Sequence, residues 1–233
     1  MTSKSVAKKV IIFIVEGITD EISLGNIITK LNKNNKIYFH IVNKDLTSDL
    51  KSNNTNIIKN IYKQVNDCIQ TEHFEKKDIM DIIHIIDIDG AFINEKNIIY
   101  KNIPKIEYNE ENIITNNPEL IKERNERKSN IINKLSATNT INKIPYRIYF
   151  FSTNLEHVLH NSQNTLDKDK VELANKFENR FYDSPEKFLT FINDKQYALH
   201  DTYENTWKFI KQGNNSLKRY TNFNLFFDSI EIR

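Results

Sequence analysis

The sequence predicts an α/β fold, with a central parallel sheet flanked by helices and a C-terminal helical lobe. Uninterrupted apolar stretches, typical of strands buried on both faces, recur up to Ser152. Segments with apolar residues every three or four positions lie between them, as in amphipathic helices. Beyond about Leu166 the strand-like stretches stop. This alternation of strand and helix predicts parallel strands joined by right-handed crossovers.

The N-terminal elements follow one another in a regular order. The first predicted strand is a continuous apolar run of mostly β-branched residues, and the third is a similar run with acidic ends. The two helices between the strands carry apolar residues on one face, at spacings of three and four. The predicted strands are Val10–Val15, Lys36–Val42 and Asp81–Asp89, and the predicted helices are Glu21–Leu31 and Ile57–Ile69.

The second half of the chain begins with a long polar connection. Residues Gly90 to Asn117 lack clear periodicity and are predicted to form a lid or a recognition loop. Pro118 then begins a charged helix, because proline suits the first helical position. Tyr146–Ser152 is a fourth predicted strand, followed by a helix in the sequence TNLEHVLHN, and the remaining segments look helical. The predicted domains are residues 1–165, with 90–117 as an inserted loop, and a helical lobe over residues 166–233.

Bulk composition narrows the class of protein. The 233 residues are 39% hydrophobic and 27% charged, as in an ordinary globular protein, and the net charge of +2 permits nucleic-acid binding without arguing for it. Cys68, the single cysteine, excludes an intramolecular disulfide and a zinc site built from thiolates. The apolar run at Val10–Val15 is too short for a signal peptide, and no stretch approaches a membrane span. We therefore expect a cytoplasmic protein that does not bind membranes.

Carboxylates follow three of the four predicted strands. Glu16 follows the first strand, Asp87 and Asp89 end the third, and Glu156 lies just past the fourth. The carboxyl ends of parallel strands meet at one edge of a sheet, where ligands bind. Unpaired carboxylates gathered there repel one another, and a divalent cation with hard oxygen ligands relieves the repulsion. The sequence therefore predicts a site for Mg²⁺ or Mn²⁺, with Glu16, Asp20, Asp87, Asp89 and Glu156 as its ligands.

The spacing of these acids sharpens the hypothesis but leaves an alternative open. Asp87 and Asp89 are two residues apart, so they would face the same way in an extended segment. Two of the chain's four glycines directly follow Glu16 and Asp89, where the backbone must turn tightly. The alternative is that Asp20 merely caps a helix and that Asp87 and Asp89 are ordinary turn residues.

The sequences FIVEGITDE and HIIDIDG, in this order, resemble the two acidic motifs of the Toprim domain. That family has a glutamate-glycine after its first strand and an Asp-x-Asp after a later one, and it occurs in primases, topoisomerases, small ribonucleases and overcoming-lysogenization-defect (OLD) nucleases. The segment FFSTNLEHVLHN extends the resemblance toward OLD-like and phage-defence nucleases, with Glu156 at the position of their later glutamate. The flanking modules of primases and topoisomerases are missing, and no GxxxxGK[ST] motif for an ATPase occurs.

The resemblance implies a metal-dependent endonuclease that cleaves DNA or tRNA. Its catalytic residues would be Glu16, Asp87, Asp89 and a C-terminal lysine. Lys218 is the candidate for that lysine, and the alternatives are Lys208, Lys211 and Arg219. The resemblance also implies an effector in abortive-infection defence against phage that works with a separate ABC-type ATPase, and it is compatible with a homo-oligomer. Two alternatives stay open: a small Toprim ribonuclease that matures structured RNA, and a non-catalytic binding module.

Three cations, Arg124, Arg127 and Lys128, share one face of the charged helix. Glutamates are interleaved with them, so a solvated surface helix is the default interpretation. The alternative is a strip that binds substrate phosphates. Cys68 is predicted to be a buried residue, and His84 to be a core residue or a neighbour of the site. His157 and His160 are predicted to be packed or solvated, with a general base as the alternative.

Overall fold

The structure, a computed structural model, describes residues 9–42 and 45–229, and strands and helices alternate through most of that part. The strands are β1 (Val10–Val15), β2 (Lys36–Ile41), β3 (Ile79–Asp87), β4 (Ile98–Tyr100), β5 (Glu107–Tyr108), β6 (Ile113–Thr115), β7 (Thr140–Ile141) and β8 (Ile144–Phe151). The helices are α1 (Ile18–Leu31), α2 (Ile57–Glu72), α3 (Pro118–Ser136), α4 (Leu155–His160), α5 (Asp167–Phe181), α6 (Glu186–Ile192), α7 (Tyr203–Ile210) and α8 (Asn224–Ser229). Short 3-10 turns occupy Lys76–Asp78, Glu95–Asn97 and Asn215–Leu217.

The central sheet has the strand order β2-β1-β3-β8-β7. Its first four strands in that order run parallel, as the sequence predicts. The expectation of a wholly parallel sheet is wrong at one edge, where β7 pairs antiparallel with β8. Asn142 and Lys143 both have positive φ, 49° and 68°, which is the backbone of a tight two-residue hairpin turn. The sheet is therefore mixed, with a parallel centre.

Helices cover both faces of this sheet. In β1, Ile12 and Ile14 pack in the apolar cluster of α2, α3 and α7, whereas Ile11 and Phe13 pack in the cluster of α1, α4, α5, α6 and α8. Burial on both faces explains why the strand is apolar throughout. From β1 the chain crosses to β2 on one side and later returns to β3 on the other side. The carboxyl ends of β1 and β3 therefore border the crevice where α/β proteins bind ligands.

The segment from Gly90 to Asn117 is not the irregular loop that its sequence predicts. It contains a small sheet of order β4-β6-β5 and a separate apolar cluster, which includes Ile98, Ile113 and Leu217. Strands of two or three residues are too short to show a periodicity, and one member of the cluster comes from far along the chain. The expectation therefore fails for lack of a local signal.

Helices fill the C-terminal part as predicted, and their aromatic residues pack on the sheet. Phe177, Phe188 and Phe226 share one cluster with Phe13 of β1. The division into two domains stays a prediction. Among the described residues, no helix combines the length and the apolar character that crossing a membrane requires, and the cytoplasmic location also stays a prediction. Cys68 is buried in α2, as expected.

Candidate metal centre

All four parallel strands place a carboxylate at the same edge of the sheet. Glu16 follows β1 directly, Asp87 is the last residue of β3, and Glu156 lies in the first turn of α4 after β8. A fourth carboxylate, Asp45, comes from the connection after β2. A cavity of about 390 Å³ at this edge, here called the acidic cavity, is lined by Glu16, Gly17, Ile18, Thr19, Asp20, Asp45, Asp87, Glu156 and Lys170. The structure thus brings Glu16, Asp20, Asp87 and Glu156 together, and their roles as metal ligands stay predictions.

Glu16 is a buried carboxylate with little internal compensation. Its Oε1 atom is buried and finds no hydrogen-bond partner within residues 9–42 and 45–229. Burial raises the pKa of Glu16 well above its ordinary value, and the Asp45 and Asp87 carboxylates raise it further, against the opposing charge of Lys128. An unpartnered buried carboxylate is costly, so this atom favours a cation beside it.

Asp20 both caps α1 and faces the acidic cavity, so the two interpretations of this residue are compatible. Its Oδ2 atom accepts a hydrogen bond from the Gly17 N–H at 3.0 Å, as in a helix capping box. Burial raises the pKa of Asp20 to about 6, and the Glu156 carboxylate also acts to raise it.

Asp87 and Asp89 differ in backbone conformation. Asp87 ends the extended strand, whereas Asp89 and Gly90 both have positive φ, 53° and 66°. The expectation that the two aspartates leave an extended segment on the same side is therefore wrong, because the strand ends at Asp87. Burial raises the pKa of Asp87 well above its ordinary value, and Asp20 and Asp89 add to the effect. Asp89 instead points its carboxylate at Lys128.

Lys128 contradicts the prediction of a solvated helix face. Its side chain is fully buried, and its ammonium contacts Asp45 Oδ2 at 2.7 Å and also Asp89 Oδ2. Burial alone would lower the pKa of Lys128, but the Asp45 and Asp89 carboxylates raise it above its ordinary value. The lysine is therefore charged. It lies inside the protein because α3 packs over the ends of the strands at this point.

Arg124 and Arg127 do not form a solvent-facing strip with Lys128 either. Arg124 donates to the backbone oxygen of Asp89 at 2.7 Å and to the Tyr108 hydroxyl at 2.8 Å. Arg127 donates to the backbone oxygen of Ser48 at 3.1 Å. The three cations instead tie α3 to the loops that follow β2 and β3, and a direct role in binding substrate stays a prediction for the two arginines.

Lys218 is displaced from the position that the sequence suggests. Its side chain lines a different cavity, of about 810 Å³, together with Phe92, Lys96 and Asn214. Only its backbone supports the sheet edge, where its carbonyl oxygen accepts a hydrogen bond from the Ser152 hydroxyl. The lysine that lines the acidic cavity is Lys170 of α5, whose Nζ lies 3.3 Å from Glu156 Oε1. The geometry therefore does not support Lys218 as the catalytic lysine.

Two residues of the acidic cavity escaped the sequence analysis. Asp45 could have been found, because the argument that carboxyl ends of parallel strands share an edge applies equally to β2. Lys170 had no such signal, since it lies in a helix of mixed charge more than ten residues after Glu156.

Within the part of the chain that the structure describes, no three Asp, Glu, His or Cys side chains are already arranged to hold a metal ion. Internal partners explain why these side chains are not already arranged around an ion. Lys128 contacts Asp45 and Asp89, Lys170 contacts Glu156, and the Gly17 N–H holds Asp20. Six carboxylates nevertheless face two ammonium groups, and oxygen donors of this kind suit Mg²⁺ or Mn²⁺. The donor set therefore fits a hard cation that displaces some of these internal partners.

Of the three histidines near the site, His84 lies in the core, as predicted, and the other two are at least partly packed. His84 is buried in β3, its Nδ1 lies 2.9 Å from the Tyr146 hydroxyl oxygen, and burial lowers its pKa to about 4. His157 is also buried, and burial lowers its pKa to about 4. His160 is only partly buried, with its ring centroid 5.5 Å from that of Phe177.

Fold and cavity together define a class: an α/β protein with a carboxylate-lined cavity at the ends of its parallel strands. No protein-family model matches the chain, and neither a curated protein nor a solved structure does so. The resemblance to the Toprim domain therefore stays a prediction that depends on the two motifs and their order.

Proposed function

We propose that the chain is a metal-dependent nuclease that hydrolyses phosphodiester bonds in nucleic acid. One observation carries the proposal: four neighbouring parallel strands each place a carboxylate at one cavity. Glu16, Asp20, Asp87 and Glu156 would hold Mg²⁺ or Mn²⁺ there. A bound ion of this kind activates water and neutralises charge on a phosphate.

The free-energy cost of gathering these carboxylates supports a cation in the acidic cavity. Burial and mutual repulsion raise the pKa values of Glu16 and Asp87 well above their ordinary range, so the ionised forms of both carboxylates are disfavoured. A fold gains nothing from gathering such groups unless a ligand compensates them. The cluster is therefore better explained by function than by stability.

The charge distribution supports a polyanionic substrate. Six of the 31 acidic residues lie at this one site, so the rest of the chain is more basic than the net charge of +2 indicates. Lys170 lines the acidic cavity with a side chain that is one-third exposed, which allows it to contact a phosphate. An acidic site within a more basic protein suits a metal that acts on a phosphate backbone.

The resemblance extends the proposal to the biological role. Likeness to OLD-like and phage-defence Toprim nucleases suggests an effector of abortive infection, acting on DNA or tRNA with a separate ATPase. Maturation of structured RNA requires the same chemistry on a different substrate. A non-catalytic binding module would keep the cavity and bind an ion without hydrolysis.

The test is cleavage of plasmid DNA, tRNA and a ribosomal RNA precursor, each with Mg²⁺, with Mn²⁺ and with EDTA. Glu16→Gln removes the charge of the unpartnered carboxylate, and Glu123→Gln, at an exposed position on α3, is the matched control. We expect metal-dependent cleavage, with a rate that falls more than about 100-fold in Glu16→Gln. Mutating even a hydrogen-bond partner of a metal ligand typically lowers metal affinity or activity about 10–100-fold.

The control variant should cleave at the wild-type rate. Wild-type cleavage by both Glu16→Gln and Asp87→Asn would refute the nuclease proposal. Calorimetric binding of Mn²⁺ without hydrolysis of any of the three substrates would favour the binding module.

A further inference from the structure

The carboxylates of the site divide into two groups, each with its own lysine. Asp45 and Asp89 form an inner group around Lys128, which contacts both of them. Asp20 and Glu156 form an outer group, in which Lys170 contacts Glu156. Asp87 interacts electrostatically with members of both groups, whereas Glu16 interacts with the inner group and with Asp87.

The inner group is held rigidly. Lys128 is fully buried, and the Asp45 carboxylate that it contacts also accepts hydrogen bonds from the Thr47 N–H at 2.7 Å and the Ser48 N–H at 3.1 Å. The backbone of Asp89 is also held in place, because its N–H donates to the Thr153 carbonyl oxygen at 2.9 Å. Removing a buried ammonium from two such partners would leave uncompensated charges, so Lys128 is not displaced by a passing ion.

The outer group is held loosely by comparison. The Lys170 side chain is one-third exposed, and its Nζ lies 3.3 Å from Glu156 Oε1, a longer contact than those of Lys128. A lysine with a flexible stem can move its ammonium into water, and the buried Glu156 carboxylate that it leaves then requires another cation. A divalent cation can therefore take the place of Lys170 in the outer group.

We infer that the Lys128 ammonium permanently fills one of two cation positions, so that the site takes a single divalent cation in the outer group. This inference rests on the proposed metal site and specifies its stoichiometry. Ions of a two-metal centre lie roughly 3.5–4 Å apart, and a second ion at Asp45 and Asp89 would meet the ammonium there. Lys128 is a positioning residue: it holds Asp45 and Asp89 and replaces the second ion.

The experiment counts Mn²⁺ ions per full-length chain by calorimetry and by electron paramagnetic resonance. Wild type should bind one ion. Lys128→Ala frees the inner group and should bind two ions. Lys170→Gln is the matched control, because it removes the same charge from the outer group; it should still bind one ion, about tenfold more tightly, since a competing charge at short range is gone.

Each outcome decides between the inference and the nuclease proposal. Two ions in the wild type, or one ion in folded Lys128→Ala, would overturn the inference and leave the nuclease proposal intact. One ion in the wild type without cleavage of any nucleic acid would overturn the nuclease proposal alone, and no bound ion would overturn both. If Lys128→Ala does not fold, the wild-type count and the presence or absence of Mn–Mn coupling in its spectrum decide.

Discussion

Gly90 offers the sharpest test of the geometry beside the site, because its replacement by alanine has two separable costs. Gly90 has φ +66°, and a Cβ atom built on it would lie 2.5 Å from Leu217 Cδ2 and 3.1 Å from Ile113 Cδ1. Gly213 has a similar φ of +53°, but no atom lies within 4 Å of the Cβ that alanine would add. Gly213→Ala therefore measures the backbone cost alone.

The expected magnitudes follow from these contacts. A left-handed backbone costs a non-glycine residue about 1–2 kcal/mol, and this cost is common to both variants. Overpacking against Leu217 adds about 1–3 kcal/mol for Gly90→Ala. We expect the free energy of unfolding to fall by about 2–5 kcal/mol in Gly90→Ala and by about 1–2 kcal/mol in Gly213→Ala.

Urea unfolding at 25 °C measures both variants, and a double-mutant cycle with Leu217→Ala isolates the clash. Trimming Leu217 should recover part of the loss in Gly90→Ala and none of the loss in Gly213→Ala. Equal losses in the two single variants, or additive effects with Leu217→Ala, would show that Gly90 does not approach Leu217 as described.

Three further predictions concern metal, pH and the lysines. Saturating Mn²⁺ at 100 times its Kd should raise the melting temperature by about 5–10 °C, since it adds about 2.7 kcal/mol; the same rise in Glu16→Gln would contradict a role for that carboxylate. Asp81 has a buried Oδ1 atom that finds no partner among the described residues, and burial raises the pKa of Asp81 to about 6. The ionised form therefore destabilises the fold, so the free energy of unfolding falls as the pH rises from about 4 through 6. Asp81→Asn should therefore stabilise the protein by about 1–3 kcal/mol at pH 7.5 and by almost nothing at pH 4, and a gain independent of pH in urea titrations would refute this. Lys170→Ala should slow nucleic-acid cleavage at saturating metal, whereas Lys218→Ala should keep the wild-type rate; the reverse order would restore Lys218 as the catalytic candidate.

The central sheet was predictable because burial on both faces leaves an unmistakable trace in the sequence. Val10–Val15 and the apolar stretch of β3 are short runs rich in β-branched residues, which favour strands over helices. Glu16 and Asp87 then followed from chain direction alone, since parallel strands end at one edge. Asp45 was equally accessible to this argument, but it lies four residues beyond β2 rather than at its end.

Features that depend on contacts between distant segments could not be predicted. The spacing of Lys128 places it on a helix face but does not reveal that other segments cover that face. Leu217 joins the cluster of β4 and β6 from about a hundred residues further along the chain, so the small sheet left no local pattern. For the same reason, the sequence did not reveal that Lys170 lines the acidic cavity and that Lys218 lines a different one.

The end of β8 is completed by a segment made much later in synthesis. The Ser152 N–H donates to the Tyr220 carbonyl oxygen, the Thr153 N–H donates to that of Ser216, and the Ser152 hydroxyl bonds the Lys218 carbonyl 66 residues further on. Glu156 follows directly from this stretch. A ribosome adding about 5–20 residues per second therefore needs several more seconds after β8 before this edge can close. A nascent chain passes through that interval with the carboxylates of the acidic cavity already made, while the segment that completes the end of β8 is still missing.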